Sequence, residues 1–354
     1  MTTSLPGAAQ CASDTSSAHD IERAARRLLQ GGLVAFPTET VYGLGADAEN
    51  PQAIARIYAA KGRPSNHPVI VHVAPDADIA YWSHRVPAAA RQLIDAFWPG
   101  PLTLILPRAP HIPSAVAGGQ DTLGIRCPSH PVAQALLTRF ARMKPGGQGG
   151  VAAPSANKFG QVSPTTAAHV RAEFPELDES HLLVLEGGPS EVGIESTILD
   201  VSRLDQGVGP VLLRPGHIQA HDIARVLGLT PQAPDAAAPR VSGSLKAHYA
   251  PRTPLFLVPG HQLPNAIDQI MASHSRAGVL ALSPDFCRHR PGLTVQMCDS
   301  DPKAYARGLY AMLRGLDALH LGAILVEQPP LSPAWQAVND RLGRAAAAFD
   351  TPQP

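Results

Sequence analysis

Residues 61–72 read Lys-Gly-Arg-Pro-Ser-Asn-His-Pro-Val-Ile-Val-His. A helical run closes on Lys61 and Gly62, Arg63 follows at once, and the apolar stretch from Val69 carries the chain into a strand that delivers His72. A terminal glycine, then prolines, then β-branched residues is the pattern of a helix-to-strand junction. Lys61 and Arg63 have two readings there. They are either the cations that the open carbonyls of a last helical turn favour, or one wall of a pocket formed where two elements meet.

The flanking sequence repeats the junction. Upstream, Asp20 is the expected cap of a helix whose apolar positions are Ile21, Ala24, Ala25, Leu28 and Leu29, stopped by Gly31-Gly32. Residues 33–36 then read as a buried strand opening into Thr38-Glu39-Thr40-Val41-Tyr42-Gly43-Leu44-Gly45, hydroxyls and glycines at a strand's carboxyl end, where open α/β sheets place ligands. Asn50 and Pro51 begin the helix that ends in Lys61. Downstream, residues 87–98 read as a helix and 102–106 as a strand. A strand with Arg126 near its end comes next, then a helix over 131–140, a Gly-rich loop at 144–150 and a helix led by Ser163-Pro164. Strands follow over 182–185, beyond Gly193 and at 211–213. This alternation is that of an α/β fold. Residues 230–244, rich in proline and alanine, read as a linker, and a smaller Rossmann-like α/β pattern runs from 255 to 349.

With 354 residues the chain is long enough for about two domains. Lys and Arg number 29, as do Asp and Glu, so no overall field recruits nucleic acid or an anionic membrane and any basic site has to be local. Cys11, Cys127, Cys287 and Cys298 have neither metal-site nor disulfide-framework spacing, and no histidine stands in a recognised ligand motif. No run of about eighteen apolar residues occurs. The expectation is a cytoplasmic protein with a disordered tail over residues 1–18. Arg126 in an apolar strand requires either a ligand or a counter-charge such as Asp121 or Glu195, because a buried lone guanidinium is costly. Neither a P-loop, a full GxGxxG nor a GxSxG elbow is present.

Taken in order, PTETVYGLGADA, KGRPSNHPVIVH, FWPGPLTLIL, DTLGIRCP, APSAN, SPTTAAHV, GIESTILDV, LLRPG and HYAP resemble the threonylcarbamoyl-AMP synthase family in its long, two-domain form. The resemblance implies a YrdC-like twisted mixed sheet around a basic cleft over residues 19–217, a linker over 218–251 and an accessory α/β domain over 252–350. It implies an enzyme that makes threonylcarbamoyl-adenylate and pyrophosphate from L-threonine, bicarbonate or CO2, and ATP, with Mg2+ held mainly by phosphates. A separate transferase machinery would pass the group to tRNA. Carried over position by position, Thr40, His72, Arg126, Ala153 and Ser196 would hold threonine. Lys61, Arg63, His67, Thr122, Ser155, Asn157, Ser163, Arg214, His248 and Tyr249 would hold ATP, with Lys61, Arg63, Ser155 and Asn157 nearest the chemistry. The chain has His67 where the family often has asparagine, and Ser-Gly-Ser-Leu-Lys-Ala before HYAP where the family has a PGM-like run. The product is a mixed anhydride that water destroys, so linker and second domain would serve as a lid. Competing expectations are a double-stranded RNA or tRNA-binding module without catalysis, and the related carbamoyl-adenylate enzymes of hydrogenase maturation, whose acylphosphatase-like and zinc-finger segments are missing here.

Overall fold

The computed structural model describes residues 15–284 and 290–350. Cys11 and most of the expected tail, and Cys287, lie outside the described residues. Helix α1 (Ala18–Leu29) is capped by Ser17 rather than Asp20. Ser17 Oγ accepts the Asp20 N–H while the Asp20 carboxylate accepts the Ser17 N–H, a reciprocal box. Strand β1 (Leu33–Phe36) is fully buried. The chain then turns and returns as β2 (Gly43–Asp47), antiparallel to β1 with Ala35 opposite Leu44. The sequence pattern predicts no strand here, because two glycines in five residues give little β signal. Packing explains them. A Cβ on Gly45 would lie 2.8 Å from both the Phe36 ring and Val151.

Helix α2 (Pro51–Lys61) starts at Asn50, whose side chain accepts the Gln52 and Ala53 N–H groups, and ends on Gly62 in the left-handed conformation. Strand β3 (Val71–Val73), the single turn α3 (Ile79–Trp82), α4 (Ala88–Phe97), β4 (Leu102–Pro107), β5 (Thr122–Arg126), α5 (Pro131–Met143) and β6 (Gly150–Ala152) follow. Helix α6 (Ala167–Glu173) is capped by Thr166, not by Ser163. Strands β7 (Leu182–Val184), β8 (Thr197–Asp200) and β9 (Val211–Arg214) complete the first unit. Helix α7 (Ala220–Leu227) lies inside the span expected as linker and packs on α4, burying Ile223. Beyond it, residues 228–254 contain no helix or extended strand and touch both units, Arg240 donating its N–H to Gln120 and His248 its N–H to the Arg344 carbonyl.

The first unit is one mixed sheet in the order β7-β1-β2-β6-β3-β5-β4-β8-β9. Alternating side chains sort to its two faces. Val34, Phe36, Val151 and Leu183 pack with α1 and α5, whereas Ala35, Leu44, Ala46 and Leu104 pack with α2, α4 and α7. The second unit has β10 (Leu255–Val258), α8 (Leu263–Ser273), β11 (Ala277–Ala281), β12 (Leu293–Met297), α9 (Pro302–Asp317), β13 (Ala323–Glu327) and α10 (Gln336–Ala346). Its sheet is parallel throughout, in the order β10-β13-β11-β12, as a Rossmann-like accessory domain requires.

Helices α9 and α10 dock on the first unit. Arg314 of α9 pairs with Glu173 at 2.8 Å. Gly193 has φ +79°, and a Cβ there would lie 2.4 Å from Arg307 Cα and 2.6 Å from the Ala306 carbonyl. The two units therefore meet there backbone against backbone.

Substituting Gly45→Ala is expected to destabilise the protein by about 1–3 kcal/mol, since the added methyl has to displace core side chains. The drop should appear as a lower urea midpoint with an unchanged slope. An unaltered midpoint would show that Phe36 and Val151 have room to yield.

Candidate active site

The ends of several strands and one extended segment converge on a cleft lined by Thr40, Gly43, Ile70, His72, Arg126, Ala153, Ser155, Glu195, Ser196, Arg214, Ser242, His248 and Tyr249, among others. The five residues expected around threonine are all in this lining. So are Ser155, Arg214, His248 and Tyr249 of those expected around ATP.

The β1–β2 turn is built by Thr38. Its hydroxyl donates to the Val41 carbonyl at 2.6 Å and accepts the Thr40 and Val41 N–H groups at 3.3 Å. That turn holds Thr40 and Glu39 against Arg126. The guanidinium gives Nη1 to Thr40 Oγ1 at 2.8 Å and Nε to the Gly100 carbonyl at 3.2 Å, and Nη2 lies 2.7 Å from Glu39 Oε1. The counter-charge of Arg126 is thus Glu39, not Asp121 or Glu195. Asp121 is fully exposed and near Arg108, and Glu195 is engaged elsewhere.

Lys61, Arg63 and Arg214 are buried without such a partner. Lys61 Nζ donates to the Ser155 carbonyl at 2.6 Å and to the Asn157 carbonyl. Arg63 Nη2 donates to the Pro68 carbonyl at 2.8 Å, and the same guanidinium reaches Ser242 Oγ. Arg214 donates to the Ser196 carbonyl through Nε and Nη2 and to the Ser242 carbonyl through Nη1 at 2.9 Å. Among the described residues no carboxylate lies within ion-pair distance of any of the three. Burial, and for each of the three a neighbouring cation, lowers their pKa values, that of Arg63 to about 10 and that of Lys61 well below the usual lysine value.

The other expected residues sit around this centre. Asn157 is buried and donates to the Lys158 and Gln161 carbonyls, leaving Oδ1 without a partner. Thr122 lines an adjoining cavity that shares Ile70 and Ser242 with the cleft. His67 stands edge-on to Phe159 with ring centres 5.4 Å apart. Ser163 does not head a helix or line the cleft. It is fully buried and donates to Glu195 Oε1 at 2.6 Å. His248 and Tyr249 come in on the extended segment, Tyr249 at φ +62°, with its hydroxyl buried and unpartnered.

Reading the sequence missed Glu39 as a partner, although it stands inside PTETVYG, and missed Ser242, Tyr310 and Arg341. Tyr310 donates to Glu195 at 2.9 Å and Arg341 pairs with it at 2.8 Å, both from the second unit. No motif marks either residue. No group of three or more His, Cys, Asp or Glu among the described residues could hold a metal ion, and no described helix is long and apolar enough to cross a membrane.

Comparison with known proteins agrees with this architecture. Residues 26–216 match the family model described as telomere recombination, and residues 218–347 match the model of the threonylcarbamoyl-AMP synthase C-terminal domain. The chain is 34% identical to threonylcarbamoyl-AMP synthase of Pyrococcus abyssi over 92% of its length and 94% of that protein. It is 37% identical to the Bacillus subtilis enzyme of the same name, over 92% of each. Among solved structures it resembles P. abyssi Sua5 complexed with L-threonine, with a TM-score of 0.80, 32% identity and coverage of 93% of this chain and 95% of that one. It also resembles a P. abyssi Sua5 variant with a consecutive histidine and tyrosine changed to alanine, with a TM-score of 0.82, 31% identity and coverage of 95% of each chain.

Two cleft histidines give the protein a defined response to acid. Burial, reinforced by Arg126, takes His72 down to about 3. Burial, with Lys61, Arg63 and Arg214 outweighing Glu195, takes His248 to about 3. Both are neutral in the folded state at pH 7. As pH falls through the ordinary histidine value of about 6.5, the unfolded chain takes up protons that the native state refuses, so stability is lost from there down to about pH 3. At pH 5.5 the loss relative to pH 7.5 is expected to be about 1.4 kcal/mol for each histidine, and His72→Gln should remove its share. Urea titrations at the two pH values test this, and a midpoint that does not fall on acidification contradicts it.

Proposed function

The chain belongs to the threonylcarbamoyl-AMP synthase family and is a nucleotidyltransferase of tRNA modification, and from that premise we propose how its cleft divides the substrates. L-Threonine lies against Thr40, His72, Arg126, Ala153 and Ser196. ATP spans Lys61, Arg63, His67, Thr122, Ser155, Asn157 and Arg214, with His248 and Tyr249 covering it. Ser163 belongs to the nucleotide side through Glu195, to which it donates.

One observation carries this reading. Lys61, Arg63 and Arg214 are buried cations bonded to carbonyls and hydroxyls, with no carboxylate of the described residues within ion-pair distance. Buried positive charge left unneutralised is costly, and a triphosphate is the ligand that relieves it. Arg126 differs in kind. Held by Glu39, Thr40 and the Gly100 carbonyl, it is fixed in direction and keeps one N–H on each terminal nitrogen, which suits a carboxylate clamp.

The reaction follows from these placements. Threonine's amine adds to CO2 and loses a proton, or condenses with bicarbonate and expels water, to give a carbamate. A carbamate oxygen bonds to the α-phosphorus of ATP, the bond from that phosphorus to the β-phosphate bridging oxygen breaks, and pyrophosphate departs with the electron pair. The cations stabilise charge on the phosphoryl oxygens and the leaving group, and the cleft holds nucleophile and phosphorus in line. His72, neutral with a pKa of about 3, is too weak a base to keep a proton at pH 7 and acts as a hydrogen-bonding wall for threonine. Glu195 in the cleft and Glu39 behind Arg126 are already paired with arginines, so Mg2+ would be carried by phosphate oxygens and water and would neutralise triphosphate charge. The labile adenylate is then handed to a transferase acting on tRNA.

Incubating the protein with ATP, L-threonine and bicarbonate is expected to release pyrophosphate without any RNA. Arg214→Ala and Lys61→Ala should each lower kcat/KM for ATP at least about a hundredfold. Arg126→Lys should raise KM for threonine about tenfold and leave KM for ATP near its original value. Absence of pyrophosphate release, or cleft variants that turn over like the wild type, would refute the assignment.

A further inference from the structure

Glu195 is misplaced for a site that takes a polyanion. It is among the residues that line the cleft, and the next residue, Ser196, receives Arg214 through both its carbonyl and its hydroxyl. At 6% exposure the charge is little screened by water, so it repels a nearby phosphate and attracts Arg214.

What faces it comes largely from the second unit. Arg341 of α10 is 1% exposed and sets Nε 2.8 Å from Glu195 Oε2. Its Nη2 donates to the Glu195 carbonyl at 3.3 Å, and its Nη1 donates at 2.9 Å to the carbonyl of Pro215, the residue after Arg214. The guanidinium also lies over the Tyr249 ring, 5.3 Å from its centre. Ser163 and Tyr310 give their hydroxyls to the two carboxylate oxygens. Arg341 also gives Nη1 to Asp340 at 2.7 Å, but Arg344 pairs with that same carboxylate at 2.9 Å and shares in neutralising it, while Arg341 keeps Nε on Glu195. Burial alone would raise the Glu195 pKa, but Arg341, Arg214 and Ser163 outweigh it and hold the group near 2, ionised at any working pH.

We propose that Arg341 is a positioning residue of the nucleotide site: by neutralising Glu195 from the second domain it removes a negative charge that would oppose the triphosphate and leaves Arg214 free to bind phosphate. The inference rests on the cleft being the ATP site. The second domain then completes the cleft's electrostatics in addition to covering it. Without Arg341, Arg214 is the nearest remaining cation and is drawn toward Glu195.

The test is pyrophosphate release by the full chain, with KM for ATP and for threonine measured separately. Arg341→Met is expected to raise KM for ATP at least about tenfold, with a smaller change in KM for threonine. Glu195→Gln, which removes the offending charge, should leave KM for ATP at or below the wild-type value. The double variant should return to within about threefold of wild type. A pair that serves only as an interdomain bolt predicts otherwise: both single variants would harm both substrates alike, and the double variant would be no better than the worse single. That pattern, or a rise in KM for ATP in Glu195→Gln, overturns the proposal. Should Arg341→Met fail to fold, Glu195→Gln and the double variant decide by the same criteria. A wild-type chain that releases no pyrophosphate overturns the functional reading itself, and this proposal with it.

Discussion

Three buried cations held by carbonyl oxygens instead of carboxylates set the terms for the rest of the molecule. Dipoles can solvate Lys61, Arg63 and Arg214 but cannot cancel their charge. Keeping them requires rigid acceptors, and these come from widely separated stretches: the 155–157 turn for Lys61, Pro68 and Ser242 for Arg63, Ser196 and Ser242 for Arg214. Arg126, Arg314 and Arg341 form the opposite population. Each faces a carboxylate, Glu39, Glu173 or Glu195 in turn, and is electrically balanced before any ligand arrives. The fold thus separates arginines already balanced by a carboxylate from cations left with charge to give.

How much of this could be read beforehand depended on how local the cause was. Helices with a full apolar stripe and a cap, such as α2, were legible because cap, periodicity and stop lie within a dozen residues. Strand β2 was not, since the reason for Gly45 is the Phe36 ring and Val151, the latter more than a hundred positions away. The Ser17 and Thr166 caps were displaced by three residues from the positions first read, because several hydroxyl or acidic residues near each start could serve and only geometry chooses. Helix α7 hid beside a proline- and alanine-rich stretch, its packing surface supplied by α4.

The site divided along the same line. Residues at strand ends were legible through motif order, and the structure draws Thr40, His72, Arg126, Ser155, Ser196 and Arg214 to one cleft. Their supports were not. The partner of Arg126 was sought in Asp121 and Glu195 and proved to be Glu39, brought there by a turn that Thr38 makes. Arg341 and Tyr310 sit on amphipathic helices where an arginine or tyrosine reads as ordinary surface or core, and nothing within their own helices marks them as reaching another domain.

The contact at Gly193 has one more implication. Where α9 rests on bare backbone there is no cushion of side chains to deform, and neighbouring Arg314 and Arg341 engage their carboxylates at 2.8 Å. Shear of one unit along the other would drive main chain into main chain and part both ion pairs together. Gradual sliding is therefore closed to this interface, and the second unit has one seat on the first, held by main-chain contact and by two ion pairs at once.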